Sequence, residues 1–245
     1  MGSFRHLARA LSAAVAGLLL LAGCAPSDGP ATGAGGTATV SATSSASGSQ
    51  PVTTEPLQPP SSAPAATPTA PAPTPLTKEE QMALDTDLIL AAKANDAARV
   101  RGLIEAGGNV NTKDAIQDSA FLYAGAEGYN EVLALTLAHG ADVASTNRYG
   151  GTALIPASEH GHVETVRILI AAGVPVNHVN NLGWTAMQEA VLLNDGGPNQ
   201  QQVVSLLLAA GADPGIRDPQ GRTALENADR LGLTGIAAVI RGAGF

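Results

Sequence analysis

The sequence predicts an all-α fold: a solenoid of about five helix-turn-helix units, joined by short β-hairpin loops and preceded by a disordered tether. The main observation is a 33-residue self-match, which begins near Leu88 and continues to the last residue. A fixed period of this length indicates stacked repeats, because one unit alone cannot bury its apolar face. Two series keep the offset: Leu88, Phe121 and Leu154, and Gly107, Gly140 and Gly173.

Each unit is predicted to contain two helices, and the third unit is the clearest copy. Thr152 can cap its first helix, on which Leu154 and Ala157 face the neighbouring unit. Gly161 turns the chain into the second helix, and Gly173 ends that helix in a left-handed conformation. The second helix places apolar residues three and four positions apart, at Val163, Val166, Leu169 and Ile170.

The repeat domain is predicted to occupy residues 78–245. Thr185 and Thr223 start the first helices of the last two units, and the step between them exceeds the regular period by five residues. The five extra residues fall around Asn194 to Pro198, between two helices, where solenoids accept insertions. The predicted units span approximately residues 87–111, 114–144, 147–177, 180–214 and 217–245.

The unit resembles an ankyrin repeat. Residues 151–173 read GTALIPASEHGHVETVRILIAAG and follow the order of the family pattern: Gly-x-Thr-Pro-Leu-His-x-Ala, then Gly-His, then Leu-Leu, then Gly-Ala. Alanine replaces the proline of that pattern at positions 153, 186 and 224. Thr185 with Gln188, and Thr223 with Glu226, are instead predicted to form capping boxes. The third and fourth units further resemble exported or lipoprotein ankyrin-repeat proteins of bacteria.

Pro156 departs from the pattern of a regular helix. It is expected at the fourth position of the first helix in the third unit, where its missing N–H forfeits the first helical hydrogen bond. Two interpretations remain open. In the first, the unfavourable proline marks a functional surface. In the second, the short helix tolerates proline near its start.

The N-terminal residues 1–23 are predicted to be a lipoprotein signal peptide. Arg5 and Arg9 precede an apolar run that is too short to span a bilayer. The run ends in Leu-Ala-Gly-Cys, which resembles a bacterial lipobox, and the cysteine of that motif becomes lipidated. Cys24 is the only cysteine in the chain, so lipidation is predicted at Cys24 and no internal disulfide can form. An ordinary signal peptide with a chance cysteine is the alternative.

Residues 24–77 are predicted to form a disordered linker. From residue 25 onward, 45 of its 53 residues are Ala, Gly, Ser, Thr or Pro, and none is aromatic. Such a segment cannot bury enough apolar surface to offset the entropy of ordering. As a random coil it would span roughly 40 Å.

The signal peptide, the lipidated cysteine and the linker together predict the location. The repeat domain is expected at the bacterial cell envelope, tethered by lipid on the extracytoplasmic side of a membrane.

Charge and motifs narrow the function classes. The whole chain has a formal net charge of −8, which argues against nucleic acid as a partner. The sequence contains no phosphate-binding loop, zinc-helix motif or nucleophile elbow, so no enzyme activity, cofactor or metal is predicted. His160 and His162 flank Gly161 and could ligate a metal, but two ligands are too few for a stable site. A structural role is favoured over a metal site for this pair: the ankyrin pattern prefers histidine at position 162 for reasons of turn structure, and position 160 is variable.

Resemblance to ankyrin repeats implies binding of a protein partner through the loop tips and the concave face of the first helices. Exposed tyrosine, tryptophan and arginine are usual interface anchors. Trp184 has an alternative role, packing beneath the loop that precedes Thr185. The residues expected to contact a partner are Tyr123, Arg148, Tyr149, Pro156, Glu159, Trp184, Glu189 and Asp195.

The sequence thus predicts a monomeric, non-catalytic interaction module that is anchored to a membrane through Cys24 and holds an unidentified protein partner. An accessory role for an envelope or stress-response protein is a special case of this prediction. The alternative from another class is a small-molecule or metal-binding sensor or enzyme that uses the groove around His160 and Glu189.

Overall fold

Helix pairs follow one another along the part of the chain that the structure, a computed structural model, describes, which is residues 76–245. Cys24, the predicted signal peptide and the predicted linker up to residue 75 lie outside the described residues. Ten helices occur within residues 76–245: α1 (Lys78–Lys93), α2 (Ala97–Glu105), α3 (Ala120–Glu127), α4 (Asn130–Ala138), α5 (Leu154–Glu159), α6 (Val163–Ala171), α7 (Ala186–Leu192), α8 (Pro198–Ala209), α9 (Ala224–Leu231) and α10 (Thr234–Gly242).

The helices form two layers. Each odd-numbered helix packs against the next odd-numbered helix, each even-numbered helix packs against the next even-numbered one, and the two helices of a unit contact each other. This arrangement is a solenoid in which neighbouring units share one apolar interior. The predicted all-α solenoid is therefore confirmed. The first helix begins at Lys78, nine residues before the approximate start predicted for the first unit.

The 33-residue period places buried residues at equivalent points of successive units. Phe121 and Leu154, which are one period apart, are at most 1% exposed. Ala124 and Ala157 on the same helices are fully buried. Their small side chains allow the first helices to approach closely, so a larger residue at these positions would overpack the interface.

The loops between units end in tight turns rather than strands within residues 76–245. In the third unit, the backbone N–H of Asn147 donates to the carbonyl oxygen of Gly151 at 2.9 Å, and that of Gly150 donates back to the carbonyl oxygen of Asn147 at 2.9 Å. The Asn147 side-chain oxygen also accepts from the backbone N–H groups of Tyr149 and Gly151. Short asparagine and aspartate side chains favour such turns. The same turn is built on Asp114, Asn180 and Asp218.

Helix α5 starts differently from its counterparts, and the predicted Thr152 cap is wrong. The helix begins at Leu154, and the buried Thr152 hydroxyl has no hydrogen-bond partner. Pro156 lies at its third position, one earlier than predicted, and offers no N–H to the Thr152 carbonyl oxygen. That oxygen instead accepts from Ile155, three residues later, at 3.1 Å. With six residues, α5 is the shortest helix described.

Only one of the two predicted capping boxes is complete. The Thr223 hydroxyl accepts from the Glu226 backbone N–H at 3.1 Å, and the Glu226 carboxylate accepts from the Thr223 N–H at 2.8 Å. Thr185 likewise accepts from the Gln188 N–H at 3.2 Å. The Gln188 side chain does not return the bond, because its amide donates to the carbonyl oxygen of Ile216 in the next loop at 2.9 Å.

The insertion in the fourth unit lies between α7 and α8, as its position in the sequence indicates. Helix α8 has 12 residues, three more than α6, so part of the insertion lengthens this helix and the remainder forms the loop before Pro198. The Asn194 amide donates to the Glu159 carbonyl oxygen at 2.6 Å and thereby joins this loop to the end of α5. None of the helices within residues 76–245 combines the length and the apolar character needed to cross a bilayer.

Candidate functional site

A groove lies on the face formed by α3, α5 and α7 and by the loops that precede α5 and α7. Seven of the eight residues predicted to contact a partner line it, whereas Asp195 does not. The period explains part of this convergence, because Tyr123, Pro156 and Glu189 occupy the same position in three successive units. The predicted residues in the groove are Tyr123, Arg148, Tyr149, Pro156, Glu159, Trp184 and Glu189.

Aromatic side chains line the groove at three points. Tyr123 comes from α3, Tyr149 from the tip of the loop before α5, and Trp184 from the residue just before the Thr185 cap. Trp184 is half-buried, and its indole Nε1 is buried without a hydrogen-bond partner. The tryptophan thus both packs at the base of its loop and lines the groove.

Arg148 is held in place at the loop tip. Its guanidinium lies 3.5 Å from an oxygen of Asp118 and 4.7 Å from the centre of the Tyr149 ring. Stacking on an aromatic face combined with a carboxylate contact is a geometry that arginine favours. Arg148 therefore presents a fixed, largely neutralised charge at the edge of the groove.

Lys93 adds a second cation beside α3. Its ammonium lies 2.6 Å from Asp114 and 3.4 Å from Asp118, and it also lies 5.3 Å from the centre of the Tyr123 ring. Burial favours the neutral form of Asp114, but hydrogen bonds from Lys93 and from backbone N–H groups outweigh burial and lower the pKa of Asp114. Near α3, Lys93 and Arg148 are therefore each paired with an aspartate.

Two buried glutamates lie deeper in the groove. Glu159 on α5 and Glu189 on α7 are 7% and 6% exposed. The Asn180 amide donates to the Glu189 carboxylate at 2.7 Å. Burial, reinforced by the charge of Glu159, raises the pKa of Glu189 to about 8. Glu189 is thus largely protonated near neutral pH as long as no cation lies beside it.

Tyr123 keeps its phenolic proton over the physiological range. Burial raises the pKa of Tyr123 to about 12, and the charges of Glu127 and Asp118 act in the same direction. The ring is therefore a neutral aromatic wall with a hydroxyl that can donate a hydrogen bond.

Two histidines lie in the turn between α5 and α6, and His160 reaches back to α3 of the preceding unit. A ring nitrogen of His160 lies 2.8 Å from the carbonyl oxygen of Ala126, and the rings of His160 and His162 contact edge to face at 5.4 Å. Burial, followed by the charge of His160, lowers the pKa of His162. Within residues 76–245, no group of three or more His, Cys, Asp or Glu residues comes close enough to hold a metal ion.

Asp195 stays outside the groove because the inserted loop folds on itself. Its carboxylate accepts from the Gly197 backbone N–H at 3.1 Å, and the residue is exposed. Among the groove residues that were not in the list of expected contacts is Asn180, which holds Glu189. Leu182, which is 42% exposed at the loop tip, also lines the groove. The period could have identified Asn180, since it lies one period after Asn147.

Comparison with known proteins gives one consistent family. The sequence model of a protein family described as ankyrin repeats (3 copies) matches residues 121–218. YahD of Escherichia coli (strain K12), whose name describes it as an ankyrin repeat protein, is 38% identical over 160 residues, which covers 65% of this chain and 80% of YahD.

Two crystal structures agree with this assignment. An ankyrin repeat domain from Acinetobacter baumannii AYE is 59% identical, with a TM-score of 0.63, and the match covers 64% of this chain and 80% of that domain. The ankyrin repeat protein EF0377 is 42% identical, with a TM-score of 0.61, and the match covers 63% of this chain and 78% of EF0377. The stacked helix pairs, the repeat motifs and these relatives together show that the chain belongs to the ankyrin repeat family.

Proposed function

We propose that this chain is a non-catalytic interaction module that binds a protein partner in the groove between α3, α5 and α7. Ankyrin repeats imply a protein–protein interaction scaffold. The observation that carries the more specific proposal is the convergence of Tyr123, Tyr149 and Trp184 with Arg148 in one concave surface. Aromatic and arginine side chains in a concave patch are the features that concentrate binding energy at protein interfaces.

The proposal places this module at the bacterial cell envelope, tethered by lipid at Cys24 on the extracytoplasmic side of a membrane. Support comes from the sequence: a positive leader, a short apolar run, the Leu-Ala-Gly-Cys motif and a linker of small and proline residues. Stable anchoring needs more than one acyl chain, which lipoprotein processing supplies. The linker would keep the groove clear of the lipid surface.

Photo-crosslinking in intact cells tests the binding surface. A crosslinking amino acid at Leu182, on the rim of the groove, is expected to capture one discrete partner band. The matched control position is Arg167 on α6, whose side chain is 52% exposed on the other layer of helices. Equal capture of the same band from both positions would place the contact outside the groove and contradict the proposal.

A substitution at the lipobox tests the anchor separately. Cys24→Ala is expected to abolish incorporation of a labelled fatty acid and to release the chain from the membrane fraction. The repeat domain does not include Cys24, so its melting temperature should not change. A membrane-bound, unlabelled wild-type chain would refute lipidation while leaving the groove proposal intact.

A further inference from the structure

The two ends of the groove differ in how their charges are matched. Near α3, the carboxylate of Asp118 lies within 3.5 Å of both Lys93 and Arg148. Near α7, no lysine or arginine within residues 76–245 forms an ion pair with Glu189, whose hydrogen-bond donor is the neutral Asn180 amide. Residues 76–245 therefore supply cations at one end of the groove and none to Glu189 at the other.

The position of Glu189 is costly for a carboxylate. Glu189 and Glu159 are both buried, and they are close enough for the charge of one to act on the other. Burying a charged group is unfavourable unless an opposite charge or several hydrogen bonds compensate for it. A cation that enters the groove would provide this compensation, and Glu189 would ionise beside it.

The walls of the groove suit an organic cation. Trp184, Tyr123 and Tyr149 line the same cavity as the two glutamates. Aromatic faces attract ammonium and guanidinium groups, and tryptophan does so most strongly. Arg148 over Tyr149 and Lys93 beside Tyr123 show this kind of contact within the chain itself.

A metal ion fits this surface less well than a basic side chain. Residues 76–245 contain no cluster of three or more acidic, histidine or cysteine side chains that could ligate a metal. Two carboxylates and aromatic rings that line one cavity match a lysine or arginine, whose apolar stem can pack on the rings while its charged end reaches the acids.

We propose that the groove accepts a lysine or arginine side chain from the protein partner, with its cationic group between Glu159 and Glu189 and its stem against Trp184. This inference rests on the proposed function, since it specifies the chemistry of the partner that the groove binds. A segment whose central basic residue enters the groove is the expected ligand. An acidic or purely apolar segment is not.

Selection of peptides on the purified full chain tests this specificity. A library of random 12-residue peptides displayed on phage is expected to yield groove binders that share one lysine or arginine. Replacing that residue with norleucine, which keeps the stem and removes the charge, should weaken binding at least tenfold. Glu189→Gln should weaken binding of the original peptide to a similar extent and leave the norleucine peptide nearly unaffected. This non-additivity identifies the two groups as partners.

Two further variants keep the result interpretable. Glu131→Gln removes a carboxylate from the exposed surface of α4 and should leave affinity unchanged. If Glu189→Gln lowers the melting temperature, the same peptide comparison can be made with Glu159→Gln, which changes the other glutamate of the groove. Leu182→Ser, at the rim, should weaken every peptide that binds in the groove.

The outcomes separate this inference from the proposed function. Peptides that need Leu182 but contain no shared basic residue would overturn the cation inference and leave the groove as the binding surface. Peptides that bind Leu182→Ser and wild type equally would contradict the proposed function itself. Equal affinity for N-acetylarginine amide or N-acetyllysine amide and for the full peptide would overturn the assignment to a protein segment, because the groove would then recognise a small cation alone.

Discussion

The fourth and fifth units contain the same acid–amide pair with the two partners exchanged. In the fifth unit, Asp218 begins the turn of the loop and receives a 2.8 Å hydrogen bond from the Asn227 amide on α9. In the fourth unit, Asn180 begins the turn and donates at 2.7 Å to Glu189 on α7. Both acids are buried.

This exchange reverses the charge preference of the acid. Burial favours neutral Asp218, but hydrogen bonds from Asn227 and from the backbone N–H groups of Arg222 and Gln220 outweigh burial and lower the pKa of Asp218. Glu189 receives the Asn180 amide but faces another carboxylate, so its pKa rises to about 8. The carboxylate that begins the turn is thus stabilised by N–H groups of that turn. The carboxylate on the helix receives no such backbone bonds and faces the groove.

The largest expected effect comes from removing the acid of the fifth unit. Asp218→Ala leaves two backbone N–H groups without their acceptor and removes the shorter of two hydrogen bonds that the buried Asn227 amide donates, the other going to Gln188 at 3.2 Å. We expect the free energy of unfolding to fall by about 3–4 kcal/mol, measured by urea denaturation. Asp213→Ala, in an exposed loop, is the control and should cost well under half as much. Similar losses for both variants would contradict the role given to Asp218.

Removing the charge of the fourth unit's acid should instead raise the free energy of unfolding at pH 8. Glu189 binds its proton more tightly in the folded chain, since its pKa is raised from 4.5 to about 8. Its contribution to the free energy of unfolding is therefore full at low pH and declines as pH rises between those values, by at most about 1.4 kcal/mol per pH unit. Glu189→Gln should remove this decline and be the more stable protein at pH 8.

Urea denaturation of both proteins at pH 5 to 8 checks this prediction. The difference between Glu189→Gln and the wild type isolates Glu189 from the other titrating groups, although Glu159 remains coupled to it. A difference that does not change with pH would show that Glu189 is charged throughout this range and would contradict the raised pKa.

A smaller effect distinguishes the helix starts of the third and fifth units. Thr223→Val removes a hydroxyl that caps α9 and should cost about 1 kcal/mol of unfolding free energy. Thr152→Val removes a buried hydroxyl without a partner and should be neutral or slightly stabilising. Thermal denaturation of the two isosteric variants measures the difference. An equal loss in both would mean that Thr152 also caps its helix.

The smallest expected effect is at the inserted loop. Asp195→Ala removes a hydrogen bond between exposed groups and should change the unfolding free energy by no more than about 0.5 kcal/mol. Because Asp195 lies outside the groove, affinity for selected peptides should stay the same. A clear loss of affinity would extend the binding surface from the groove to the insertion.

Local regularities made much of the fold predictable. The 33-residue step locates the buried core, from Phe121 to Leu154, because each unit repeats the same packing on its neighbour. Gly173, at the end of α6, has a φ of 84°, which is the left-handed conformation expected of a helix-terminating glycine. Thr223 and Glu226 form their box because both partners are three residues apart on one helix turn.

The predicted caps that failed depend on contacts that the residue spacing does not reveal. Gln188 meets the carbonyl oxygen of Ile216, 28 residues away, and therefore does not complete a box with Thr185. The Thr152 cap fails because Pro156 changes how the next helix begins, which the presence of a threonine does not reveal.

The sequence by itself determined the repeat, the helix pairs, the place of the insertion and seven residues of the groove, since each follows from spacing along the chain. Tertiary structure alone decided that Glu159 and Glu189 lie close together, that Asn180 donates to one of them, and that Arg148 and Lys93 are matched by Asp118. The physical reason is that burial and Coulomb interactions depend on distances across neighbouring units. Spacing shows which residues share a face, but only packing establishes which charges on that face are compensated.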